Sequence, residues 1–207
     1  MVRPDAAAEL VTAYLRVNNY FVLNDLEFHL WEDGGYRAVT DVDIVAVRHR
    51  TPVGPVHYRN TSGIVECLLG GEVDPVLGVA TDRCDVIIGE VKRGEASFNP
   101  ALRDPRVLHG VFTRIGDVFE SSLDEVIDES GATGRAVAPR AQARLVAFGH
   151  GGSVVNGMAM SHAHMLEWLA AAMARHQELF EISVLSDPVL SILALMSRMG
   201  YPLQRTR

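Results

Sequence analysis

The sequence predicts an α/β sandwich built on a central mixed β-sheet, and three observations carry that expectation. Beyond residue 84, apolar strand patterns alternate with amphipathic helical ones, as in chains that layer helices on a sheet. The run Cys84 to Lys92, centred on Val86-Ile87-Ile88, is apolar enough for a strand covered on both faces. Helix-start signals recur as Asp104-Pro105 and Asp187-Pro188, each an N-cap followed by proline at the first helical position.

The elements follow in order. Asp5 is a good N-cap, and Glu9, Leu10, Val11, Tyr14 and Leu15 have helical spacing, so residues 6–18 are expected to be a helix. Tyr20 to Trp31 alternates as a strand, and Glu32-Asp33-Gly34-Gly35 is a hairpin turn. A second strand over 37–49 would place Val42, Ile44 and Ala46 on one face and Asp41, Asp43, Val45 and Val47 on the other. Residues 51–83, rich in Gly and Pro, are expected to be an insertion with one short element near 63–69. Cys84–Lys92 is the third strand. Leu108, Val111, Phe112, Ile115 and Phe119 form the apolar stripe of the helix that begins at Asp104-Pro105. The segment 128–142 has the composition of a loop. Arg144–Gly149 and Val154–Met160 are read as strands, and Ser161 caps a helix to His176. Phe180–Leu185 is a further short strand, and the last helix runs from Asp187-Pro188 to Met199, stopped by Gly200. The chain of 207 residues is thus read as one domain, 1–207, with an insertion at 51–83 and a C-terminal extension at 150–207.

Composition narrows the function classes. Two cysteines, Cys67 and Cys84, make neither a disulfide framework nor a cysteine-only zinc site, and are expected to be reduced thiols of a cytoplasmic protein. No apolar run approaches the roughly 18 residues that span a bilayer. A net charge of −7 disfavours non-specific gripping of nucleic acid. The charge is uneven, however. Residues 83–114 carry Arg83, Lys92, Arg93, Arg103, Arg106 and Arg114, whereas residues 115–130 carry six acids and no base and are expected to be a solvated acidic segment.

Among 19 basic residues Lys92 is the only lysine. Arg and Lys serve equally well as solvated surface charge, but only lysine offers a compact ammonium that can give up a proton. Lys92 stands two residues beyond Glu90, so both side chains leave one face of the third strand. If the second and third strands pair, Asp43 lies beside Glu90. Carboxylates so placed suit a hard divalent cation such as Mg²⁺, with Mn²⁺ as a substitute, and the Val91 carbonyl would offer a third oxygen. Lys92 would then orient or deprotonate an attacking water. Asp41 shares a face with Asp43 and is the alternative ligand; Asp43 is preferred because the apolar run begins directly after it. Other features carry less. His150, His162, His164 and Glu167 read as the start of a helix rather than a metal site, Cys84 as a buried thiol, and the glycine pairs fit no phosphate loop.

The order Glu9 on a helix, Asn19-Tyr20-Phe21-Val22, Thr40-Asp41-Val42-Asp43-Ile44-Val45-Ala46, then Asp85-Val86-Ile87-Ile88-Gly89-Glu90-Val91-Lys92 resembles the PD-(D/E)XK, or restriction-endonuclease-like, nuclease superfamily. The resemblance covers the first 120 residues and extends to the rest only in element order. It implies a restriction-endonuclease-like α/β/α sandwich that hydrolyses phosphodiesters of nucleic acid, DNA being the expected substrate, with Mg²⁺. It further implies Asp43 and Glu90 as metal ligands, Lys92 as catalytic lysine and Glu9 as an added helix acid. The spacing from Asp43 to Glu90 is longer than in compact members, so 51–83 must loop out. Arg93, Arg103, Arg106 and Arg114 are candidates for phosphate contact. A homodimer or a protein partner would supply the affinity that an acidic chain lacks. The rival reading is a binding or scaffold subunit of a defence or repair complex on the same fold, inactive or conditionally active.

Overall fold

Helix α1 (Ala6–Val17) forms where the apolar spacing places it: the Asp5 carboxylate accepts the Ala7 N–H at 2.9 Å, and Leu10, Val11, Ala13, Tyr14 and Leu15 are buried. The computed structural model describes residues 5–50, 56–60, 63–67, 73–116, 118–176 and 187–201. Strands β1 (Phe21–Glu32) and β2 (Gly35–Arg48) form an antiparallel hairpin in register from Phe21–Val47 to Glu32–Gly35. The insertion contributes a separate antiparallel hairpin, β3 (Val56–Asn60) and β4 (Gly63–Cys67), where a single short element was expected. Strand β5 (Cys84–Val91) pairs antiparallel with β2 and parallel with β7 (Ala141–Gly149). The outer edge of β7 is shared by β6 (Arg135–Val137), antiparallel along its first half, and β8 (Met158–Ser161), parallel along its second. The result is an open, mixed six-stranded sheet, in the order β1-β2-β5-β7-β6 with β8 also on β7.

Five α-helices cover the sheet among the described residues. Helix α1, α4 (His162–Arg175) and α5 (Pro188–Arg198) share one apolar cluster with Ile44, Ala46, Ile87, Val146 and Phe148. Helices α2 (Pro105–Ile115) and α3 (Leu123–Thr133) share the other with Val45, Val86, Ile88, Ala143 and Leu145. Layers of helix, sheet and helix satisfy both apolar faces of the central strands. The seven residues from Cys84 to Glu90 are all buried, as a strand covered on both sides requires.

Several expectations need correction. Helix α3 occupies much of the stretch read as a solvated acidic segment and a loop. Its Val126, Ile127 and Ser130 are buried, its early acids Asp124 and Glu125 oppose the positive end of the helix, and Gly134 closes it in the left-handed region at φ 75°. Helix α2 stops at Ile115, so Phe119 lies beyond it, yet remains buried by stacking edge-on against Phe112 with centroids 5.2 Å apart. Strand β7 begins at Ala141 and β8 only at Met158. The expected strand Phe180–Leu185 lies outside the described residues. On β2, Val42 does not join Ile44 and Ala46 but packs in the opposite cluster with Val45, so the alternation breaks at Asp43. The break coincides with Asp25 on β1, which lies across the ladder from Asp43 between the pairs Asn24–Ile44 and Leu26–Val42 and has a left-handed φ of 54°.

Two glycines hold the neighbourhood of the third strand. A Cβ on Gly110 would stand 2.5 Å from the Phe28 ring, so α2 lies against the β1–β2 ribbon only because position 110 is bare. A Cβ on Gly149 would stand 2.5 Å from the Ala96 nitrogen. Here the chain after β5 returns across the end of β7, with His150 N–H bonded to the Gly94 carbonyl at 2.7 Å and Ala96 N–H to the Gly151 carbonyl at 2.9 Å. Those contacts, and Lys92 N–H on the Phe148 carbonyl at 2.8 Å, fix the backbone immediately after Glu90.

Candidate active site

The pairing of β2 with β5 runs from Arg48–Asp85 to Ile44–Gly89, and one step further sets Asp43 level with Glu90. The strands pair despite the insertion at 51–83. Asp43 is half-buried, and its Oδ2 accepts the Val91 N–H at 2.6 Å, so the carboxylate bridges from β2 onto the end of β5. Asp41 is exposed, which leaves Asp43 as the acid that touches β5. Glu90 is 4% exposed, and Lys92 Nζ donates to its Oε1 at 2.5 Å while remaining half-exposed itself. The other oxygen, Glu90 Oε2, is buried and has no hydrogen-bond partner.

A buried carboxylate oxygen without a donor is costly unless a proton or a cation meets it. Burial raises the pKa of Glu90 above the ordinary carboxylate value; its bond to Lys92 opposes this, and the charges of Asp43 and Asp41 add to the rise. Burial also raises that of Asp43, the Val91 N–H opposes it, and Asp41 and Asp25 push it further up. Asp41 thus bears on both acids and Asp25 on Asp43, and the Lys92 ammonium opposes the rise at each. The donor set is all oxygen, as Mg²⁺ or Mn²⁺ requires. These features fit a hard divalent cation held by Asp43 and Glu90. Among the described residues no three His, Cys, Asp or Glu side chains close around a single point as a complete metal cage, so solvent or substrate would fill the remaining positions.

The raised values have a thermodynamic consequence with a definite sign. A carboxyl whose folded pKa exceeds its unfolded one binds more protons when folded, so the stability it contributes falls as pH rises through the carboxylate range and is gone at neutral pH. Glu90→Gln keeps an acceptor for Lys92 and removes the buried charge. In chelator at pH 7.5 this variant is expected to melt above the wild type, with the gap closing as the pH is lowered past the carboxylate range. Added Mg²⁺ should raise the melting temperature of the wild type but not of the variant, because only the former gains a ligand. A variant that melts below the wild type at pH 7.5 would show that the Glu90–Lys92 pair is a structural ion pair.

The remaining candidates sit elsewhere or are engaged. Glu9, in the first turn of α1, makes no hydrogen bond or ion pair to Asp43 or Glu90 among the described residues. Val91 contributes its N–H to Asp43, a contact not foreseen when its carbonyl was considered. Arg93, 81% exposed on its side chain, pairs with Asp5 at 3.1 Å. Arg103 donates to the carbonyls of Gly131 at 2.7 Å and Val155 at 3.1 Å and lies over the Phe98 ring. Arg106 pairs with its own N-cap residue Asp104 at 2.7 Å. Arg114 donates to Gly110 and covers Phe28. All four arginines thus have intramolecular work, and Arg103 acts as a clasp between α3 and the loop before β8.

Two further clusters were not read from the sequence. His164, read only as part of a helix start, bonds through Nε2 to the buried Asp74 at 2.6 Å, and Tyr14 OH donates to the same carboxylate at 2.6 Å. Asp85 and Arg144 form a buried ion pair, joined by Tyr20 OH and by Gln142 Nε2 at 2.7 Å. The visible signal for the second was an arginine and a glutamine inside the otherwise apolar Ala141–Gly149. His162 stands edge-on to His150, 5.4 Å between ring centroids, and burial lowers its pKa, with His150 adding to the effect. Cys84 is buried, and burial raises its thiol pKa, as befits an inert core cysteine. No helix among the described residues is long and apolar enough to cross a membrane. Compared with known proteins, the chain matches no family model, no curated protein and no solved structure.

Proposed function

We propose that the protein is a divalent-cation-dependent nuclease of the PD-(D/E)XK type, on a restriction-endonuclease-like variant of the α/β/α sandwich. The observation that carries the reading is the juxtaposition of Asp43 and Glu90 on paired strands, with Glu90 Oε2 buried and undonated and Lys92 bonded to the other oxygen. Asp43 and Glu90 would hold Mg²⁺ or Mn²⁺, which supplies charge stabilisation to the phosphate as water attacks in line. Asp43 keeps the end of β5 in place through Val91 N–H, and Glu90 holds the Lys92 ammonium beside the carboxylates. From there the Lys92 ammonium orients the water, or, as the neutral amine left after it has released a proton to solvent, takes up the water's proton. DNA is the expected substrate. Glu9, carried only by the resemblance, is assigned no contact.

The engagement of Arg93, Arg103, Arg106 and Arg114 within the chain, together with the net charge of −7, favours a second reading in which affinity for nucleic acid comes from a partner or a second copy. On that reading the domain is a scaffold or a conditionally active subunit of a defence or repair complex. A plasmid-nicking assay with Mg²⁺ or Mn²⁺, beside Asp43→Ala and a chelator control, separates the two. The wild type is expected to cut, and Asp43→Ala to lose at least about 10²-fold, the equivalent of roughly 3 kcal/mol of barrier. Equal cutting by both proteins would remove Asp43 from the site. Absence of cutting with either metal, and of metal binding, would leave the scaffold.

A further inference from the structure

The parallel pairing of β7 with β8 ends with Gly149 level with Ser161, and the next residue beyond each is a histidine. His150 opens the turn after β7, and His162 is the first residue of α4. Their rings stand edge-on at 80°, with centroids 5.4 Å apart. His150 is exposed, whereas His162 is 9% exposed and its Nε2 is buried without a hydrogen-bond partner. Both backbones are held in place. The His150 N–H donates to the Gly94 carbonyl at 2.7 Å, and in the same turn the Gly151 carbonyl accepts the Ala96 N–H at 2.9 Å. Ser161 Oγ accepts the His164 N–H at 3.1 Å and so caps the first turn of α4.

A neutral imidazole carries one N–H and one lone pair, and each asks for a partner once water is excluded. Burial keeps the His162 ring neutral by lowering its pKa, and the neutral ring is the form that ligates a metal. An ion of the zinc, nickel and copper group, for which imidazole nitrogen is a suitable donor, would meet the undonated Nε2 and take the exposed His150 ring as its second ligand. The separation agrees. Metal–nitrogen bonds of about 2.0–2.1 Å at a tetrahedral angle put the centroids of two ligating rings about 5 Å apart. His164 is already committed to Asp74 at 2.6 Å. Among the described residues no group of three His, Cys, Asp or Glu surrounds an ion, so water or an oxygen ligand would complete the coordination. Magnesium requires oxygen donors, so the pair is chemically distinct from Asp43 and Glu90.

We propose that His150 and His162 form a two-histidine site for a transition-metal ion of the zinc class, which clasps the turn after β7 to the start of α4. The site does not depend on the reading of Asp43 and Glu90 as cation ligands. Its two members are remote along the chain, and the pairing of β7 with β8 makes them neighbours.

Calorimetric titration of the full chain with Zn²⁺, in excess Mg²⁺ to occupy the carboxylates, tests the proposal without any substrate. The wild type is expected to bind one Zn²⁺ at the pair and to melt at a higher temperature with Zn²⁺ than in chelator. His150→Ala and His162→Phe should each weaken that binding at least about tenfold and abolish the rise in melting temperature. Asp43→Asn should bind Zn²⁺ like the wild type. With one equivalent of Cu²⁺ as probe, electron paramagnetic resonance should show coupling to two nitrogens, reduced to one in His150→Ala. Melting in chelator confirms that each variant is folded, and should His162→Phe fail to fold, His150→Ala at its exposed position decides alone. Zn²⁺ binding that a folded histidine variant leaves unchanged, a wild type that binds no Zn²⁺, or a Cu²⁺ spectrum with fewer than two nitrogens would each overturn the site.

Discussion

Asp85→Asn is expected to lower the stability of the protein by about 3–5 kcal/mol, the range for removing one partner of a buried ion pair. Asp85 is fully buried and accepts from Arg144 Nε at 3.0 Å and Gln142 Nε2 at 2.7 Å, as well as from Arg144 Nη2 and Tyr20 OH. Arg144 Nη1 continues to the Leu77 carbonyl, and Arg135 holds Gln142 at 2.9 Å. The network thereby ties β5, β7, β6, the residue before β1 and the turn after the insertion. Burial alone would lower the pKa of the Arg144 guanidinium, but the Asp85 carboxylate more than offsets it and holds it above its ordinary value. Asparagine has nearly the same shape and keeps one acceptor, but it leaves that charge in the interior without a counter-charge. Because a domain's whole stability is about 5–15 kcal/mol, a loss of this size is a large fraction of it. At roughly 2–4 °C per kcal/mol for a chain of this size, the melting temperature should fall by about 6–20 °C. The double variant Asp85→Leu with Arg144→Met removes both charges and is expected to recover most of the loss, since apolar pairs of similar volume often replace buried ion pairs without penalty. A drop below about 2 °C for Asp85→Asn, or no recovery in the double variant, would show that solvent reaches the pair.

That network also marks where sequence reading reaches its limit. Periodicity located α1, α2, α4 and α5, the unbroken apolar run located β5, and the turn at Asp33-Gly34 located the β1–β2 hairpin. It missed α3, where Leu123, Val126 and Ile127 carry the helical spacing but the acids Asp124, Glu125, Asp128 and Glu129 dominate the composition. It misplaced Val42, because strict alternation assumes a regular strand and the left-handed Asp25 opposite breaks it. The neighbourhood of Asp43 and Glu90 was legible because both acids border apolar strands, where idle charge is costly. The partners of Asp85 were not: the parallel pairing of β5 with β7 brings Gln142 and Arg144 to it, and Tyr20 reaches it from the start of β1.

Lys92→Arg is expected to reduce strand cutting by about 10²-fold or more while leaving fold and cation binding intact. The substitution preserves the positive charge and a donor for Glu90, so the ion pair that Lys92 makes at 2.5 Å survives in some form. What it removes is the ability to surrender a proton and the compactness of the ammonium, since a guanidinium stays protonated and presents a planar fork. General acid–base catalysis by a positioned side chain contributes typically about 10²–10⁴-fold, which sets the size of the loss. Lys92→Met should lose at least as much activity and also leave Glu90 with both oxygens undonated. The two variants therefore separate chemistry from structure. If Lys92 serves only to balance Glu90, arginine should cut like the wild type and methionine alone should fail. If Lys92 handles the water, both fail, while arginine melts like the wild type and binds Mn²⁺ with unchanged stoichiometry. The second outcome also accounts for the composition: a chain that uses arginine at eighteen basic positions would retain lysine at the one place where a proton must move.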